Sequence, residues 1–135
     1  MTRTALLILV LALYAIVLGR GPARRAIGTA GFDPLSPQAS AVERRLVAGR
    51  FDEALSLATA LKAAHPDEPL AAYWLATIDQ HLGRSREEAD AWSEYVRTSK
   101  APGVACPAWP EAYRRSGQTD RAREASARCV EIASR

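Results

Sequence analysis

Apolar residues recur at helical spacing through most of the chain, and the polar residues between them gather into short breaks. Val42 and Leu46 share one face of a helix expected from about Ser36 to Ala48. Leu55, Ala58 and Leu61 carry the same period from near Asp52 until His65 and Pro66 end it, because proline has no amide to give a helix interior. Leu70, Trp74, Leu75, Ile78 and Leu82 mark the next helix, about Pro69 to Leu82. Ser85-Arg86-Glu87-Glu88 then reads as a capping box opening a helix that turns Ala89, Trp92 and Val96 inward. Lys100-Ala101-Pro102-Gly103 breaks the chain again. The last pair is a short helix from Pro107 to Ser116 and a longer one from Asp120 to about Ala133, with Ala122, Ala125, Cys129 and Ile132 on its apolar side. The expected class is all-α.

The breaks repeat as well as the helices. Gly49, Gly83 and Gly117 stand 34 residues apart, and each precedes a short polar turn and a new helical pattern. A glycine in the left-handed conformation ends one helix, and the next begins two or three residues on. Ahead of the helical pairs, residues 4–19 carry no charge. As a helix they span roughly 24 Å, a little short of a bilayer's hydrocarbon core. A cleaved signal peptide is the competing reading of this stretch; Val17 and Gly19 fit small-residue cleavage positions only loosely, so an uncleaved transmembrane anchor is the reading adopted. The stretch from 21 to 38 is rich in glycine and proline, without a lasting apolar period, and reads as a flexible linker. The expected organisation is therefore 1–20 anchor, 21–38 linker and 39–135 helical domain.

The spacing and the Gly-Arg-Phe-Asp-Glu-Ala stretch at Gly49 resemble the tetratricopeptide repeat family, whose unit is 34 residues. The resemblance covers three consecutive repeats from about Leu35 to the end. The family's first-helix leucine falls on Ala41, Leu75 and Trp109, and the small residue after it on Val42, Ala76 and Pro110. The later aromatic of that helix falls on Arg45, Asp79 and Tyr113. The early alanine of the second helix falls on Ala54, Glu88 and Ala122, and the larger residue a turn later on Ala58, Trp92 and Ser126. Only Pro66 matches the closing proline. Glu88 stands where a small residue belongs, so a local shift bringing Ala89 into that role is expected. The resemblance implies about three antiparallel helical hairpins stacked as a short solenoid. It also implies a concave face, lined by the first helices, that binds peptides or partner helices. Carried across, that groove consists of Glu43 and Val47, then Tyr73, Thr77, Gln80 and His81, then Glu111 and Arg114.

Charge changes the picture only at the amino-terminal end. The chain is formally +3, but from Ala39 onward its 14 basic and 14 acidic residues cancel. The excess comes from Arg3, Arg20, Arg24 and Arg25 less Asp33, around the apolar segment. That distribution suits a membrane-associated protein and excludes a nucleic-acid binder. By the positive-inside rule the arginines after the segment lean toward a cytoplasmic domain. The two cysteines lean the other way. Cys106 precedes the first helix of the third pair and Cys129 lies near the end of the second, where an antiparallel hairpin brings them together. A disulfide is expected, and with it a periplasmic domain, because such bridges persist outside the cytosol.

Candidate chemistry is sparse. His65 and His81 each stand at a helix end without a ligand-spaced partner. Trp74, Trp92 and Trp109 fall at core spacings, and the carboxylate pairs Asp67-Glu68 and Glu87-Glu88 suit helix starts. No catalytic constellation, metal site or cofactor site is legible, and none is expected. The expected function is a non-catalytic interaction module tethered to a bacterial inner membrane, which scaffolds or helps assemble a membrane or periplasmic complex. Two alternatives remain open: a fixed structural subunit of such a complex, and a repeat protein similar to those that present apocytochromes for haem attachment.

Overall fold

The computed structural model describes residues 36–135. The expected anchor and residues 21–35 of the expected linker lie outside them. Among the described residues no helix is long and apolar enough to cross a membrane.

Among the described residues six α-helices follow one another: α1 Ser36–Val47, α2 Phe51–Ala64, α3 Pro69–His81, α4 Ser85–Thr98, α5 Trp109–Arg115 and α6 Thr119–Ala133. A 3-10 turn, Pro102–Ala105, stands between α4 and α5. Each helix packs on the next along the chain, and the 3-10 turn packs on α4 and α6. The fold is all-helical and repeat-like, with neighbours in sequence serving as neighbours in space.

The three glycines impose this order. Gly49, Gly83 and Gly117 take φ of 72°, 72° and 76°, the left-handed region that other residues avoid. Each ends its helix with the same two hydrogen bonds. Arg50 N–H donates to Arg45 O at 2.8 Å while Gly49 N–H donates to Leu46 O at 3.0 Å. Arg84 and Gly83 repeat the pattern on Asp79 and Gln80, and Gln118 and Gly117 repeat it on Tyr113 and Arg114. Both bonds absorb carbonyls that the helix end leaves free. The following residue then caps the next helix with nearly identical dihedrals: φ −91° and ψ 67° at Arg50, −92° and 70° at Arg84, −93° and 66° at Gln118. One turn is thus built three times, at the period read from the sequence.

Three expectations need correction. Ser85 is not a cap: Arg84 holds that position, no side chain bonds the free amides, and Glu88 points into the core at 1% exposure. The Schellman turn at Gly83 leaves room for one residue before the helix, and that residue is Arg84. No local shift installs Ala89 in the small-residue position either, since Glu88 and Ala89 are both buried and the turn before them matches its counterparts. The first helix of the third hairpin is also shorter than Pro107 to Ser116. Proline is tolerated only in a helix's first turn, so Pro110 fixes the start of α5 at Trp109, and the helix runs only seven residues with the 3-10 turn ahead of it. Pro37 likewise falls in the first turn of α1, where a missing amide costs nothing.

The core divides along the chain. Val42, Ala54, Ala58 and Ile78 are fully buried where α1, α2 and α3 meet. A larger cluster joins α3 through α6, with Ala76, Ala89, Trp92, Tyr95, Trp109 and Tyr113 among its members. The expected packing role of the tryptophans holds for Trp92 and Trp109, at 5% and 9% exposure, and Trp74 packs half-buried against Leu61 and Ala71.

Candidate interaction surface

The expected groove residues separate into three environments. Glu43 and Val47 lie on an exposed stripe of α1, where with Ser40, Arg44 and Ala48 they line a shallow cleft of about 360 Å³. Val47 is 85% exposed. On α3, Tyr73 is half-buried, its ring edge-on to Trp74 at 5.4 Å and to Trp92 at 5.8 Å. The Thr77 hydroxyl donates to Tyr73 O at 2.9 Å, so it is occupied within its own helix. Gln80 is exposed. On α5, Glu111 accepts from Arg114 at 2.7 Å, a pair on one helix surface.

His81 belongs to a seam between hairpins. Its ring stacks on Phe51 of the preceding hairpin at 4.9 Å, with 16° between planes. The residue one repeat later, Arg115, also reaches back, to Glu88 of its own preceding hairpin at 2.5 Å. One repeat earlier stands Val47, for which the described residues offer no preceding hairpin. Repeat position therefore explains why the same helical position is stacked, ion-paired and bare in turn.

The seam between α4 and α5 is polar at its centre. Ser93 Oγ accepts from Trp109 Nε1 at 3.0 Å, shares a hydrogen bond with Tyr113 Oη at 2.7 Å and donates to Ala89 O at 2.9 Å. Glu88 accepts from Trp92 Nε1 at 3.4 Å in addition to Arg115. These bonds satisfy groups that burial would otherwise leave bare, and they fix the register of α5 on α4.

Asp79, at 4% exposure, is less well served. Its Oδ1 has no hydrogen-bond partner, and Arg84 Nε stands 3.6 Å away, within ion-pair reach but beyond bonding distance. Burial pushes the Asp79 carboxyl above the usual range; Arg84 opposes the rise, while Glu87 and Glu88 add to it. On the outer surface, Glu94 bridges α4 to Lys62 of α2 at 3.2 Å and to Arg97 at 2.9 Å. The Arg97 hydrogen bond, joined by Lys62, holds the Glu94 carboxyl below the usual range although burial works against it.

Cys106 and Cys129 stand at disulfide distance, with Cα atoms 5.6 Å apart. Cys106 lies in the turn before α5 and Cys129 on α6, as the antiparallel hairpin required. Sequence reasoning passed over Asp79 as an aromatic position left unfilled, and read Glu88 as a cap. The sequence carries one signal for both, that the two departures from the repeat pattern flank the same glycine turn, but it does not say what either carboxylate meets. Among the described residues no group of histidine, cysteine and carboxylate side chains could hold a metal. The chain matches no family model, no curated protein and no solved structure.

Proposed function

We propose that this chain is a tetratricopeptide-type interaction module, tethered to a bacterial inner membrane by residues 4–19 and facing the periplasm, where it scaffolds or assists assembly of a larger complex. The observation that carries the reading is the turn at Gly49, Gly83 and Gly117, built with the same dihedrals and the same pair of hydrogen bonds each time. Repetition of that unit gives an elongated stack in which helix faces, rather than one enclosed cavity, meet partners. The exposed residues Glu43, Val47, Gln80 and Arg114 are where a peptide or helix would be met. The cysteine pair supports the periplasmic side. Tethering works by confinement: a partner bound weakly in solution is held at the bilayer surface at a higher effective concentration.

Affinity capture of the full chain from membranes in mild detergent tests this. An assembly factor arrives with its partners substoichiometrically and brings incomplete complexes. Stoichiometric recovery with one mature complex would overturn the assembly role and make the chain a fixed subunit.

A further inference from the structure

α6 is held by few apolar side chains of its own. Its fully buried residues are Ala122 and Ala125, both small. Ile132 is half-buried, its Cγ2 3.6 Å from where a Cβ at Gly103 would stand, and Cys129 packs partly into the larger core cluster. The outward charges pair along the helix and the residues just after it, Arg128 and Arg135 with Glu131 and Arg123 with Asp120, so these pairs do not tie it to its neighbours. α5, by contrast, is fixed to α4 by the Ser93 hydrogen bonds and the Glu88–Arg115 pair. Beyond the backbone turn at residues 116–118, the Cys106–Cys129 pair is the covalent tie between α6 and the rest, and both cysteines are half-buried rather than sealed in the core.

We propose that this pair is a redox latch on α6: reduction releases the last helix from the stack while α1 to α5 keep their fold. A dithiol performs the step. One of its thiolates attacks a sulfur of the bridge to form a mixed disulfide, and its second thiol displaces that cysteine. Two electrons and two protons pass to Cys106 and Cys129, which end as thiols, and the reductant ends as a disulfide. Release of α6 uncovers the sides of Trp109 and Tyr113 that, with Ala125, Arg121, Glu124 and Arg128, now line a cleft of about 250 Å³. The latch stands apart from the proposed tethering role, since it rests on the attachments of α6 alone.

Hydrogen exchange read by mass spectrometry on the full chain in detergent, before and after dithiothreitol, tests it. Amides of residues 119–133 are expected to exchange roughly a hundredfold faster once reduced, the scale of the loop-closure restraint removed. Those of α3 and α4 should keep their rates. The Cys106→Ser/Cys129→Ser variant should exchange like the reduced protein with or without dithiothreitol. Unchanged protection of α6 after both thiols are shown to be free would overturn the latch. So would loss of protection in α1 to α5 together with α6, which would make the bridge a support of the whole fold.

Discussion

Asp79 and Glu88 are buried carboxylates on either side of the Gly83 turn, and they behave differently because only one is fully partnered. Glu88 has the Arg115 guanidinium and the Trp92 indole. Arg115→Met leaves that carboxylate without its cation. The expected loss is about 1.5 kcal/mol, at the low end for a charged hydrogen bond because Arg115 is 40% exposed and water replaces part of what it gives. Adding Glu88→Met should restore most of it, since an apolar pair of similar volume avoids desolvating two charges. Chemical denaturation of the single and double variants checks this; a double variant less stable than Arg115→Met would contradict it.

Asp79 carries the opposite sign. Its folded carboxyl titrates above its unfolded one, so the folded chain binds the extra proton and this site favours folding less as pH rises through that window. Asp79→Asn, which keeps the shape and removes the charge, should raise the melting temperature at pH 7, with the gain shrinking as acidity protonates the native carboxyl. Glu94 runs the other way: its folded carboxyl titrates below the unfolded one, so its contribution is present above the unfolded range and lost as pH falls through the folded value. Melting curves at pH 7 and pH 4.5 separate the two. A lower melting temperature for Asp79→Asn at pH 7 would refute the account of the unpartnered carboxylate.

The elements were legible where backbone chemistry fixed them. A glycine at each 34-residue step reads as a left-handed terminator, and the period of Leu55, Ala58 and Leu61 reads as a helix with one buried face. The start of α4 was not legible, because Ser85 and Glu88 at a box spacing look the same whether Glu88 reaches back to the backbone or into the core. Only the position of Arg115 on the next hairpin decides between these, and that contact spans 27 residues. The contacts that the groove residues make were hidden for a related reason. Thr77 and Glu111 find partners within their own helices and Tyr73 within the aromatic cluster, which a repeat pattern cannot foretell.

Gly83 offers a clean test at this scale. A Cβ there would meet nothing within 4 Å, so substitution probes the backbone alone. Gly83→Val should cost more than ~1 kcal/mol, because a β-branched residue is forced to a φ of 72°. An unchanged melting temperature would mean that the turn does not depend on the left-handed glycine.

At the scale of the whole molecule, the cysteine pair reinforces the packing of α6 on α5 and on the 3-10 turn. Its 23-residue separation gives about 3 kcal/mol in the chain-entropy treatment, a large share of a small domain's stability. That bridge and the apolar segment 4–19 together support the proposed address, a membrane-tethered domain in an oxidising compartment. Both can be read from one spectrum. The protein is extracted from membranes with oxidation and exchange blocked, unfolded without reduction, alkylated, and its intact mass measured. The expected species retains residues 4–19 and carries no alkyl group. A mature form beginning near Arg20, or two alkylated cysteines, would contradict the proposed address.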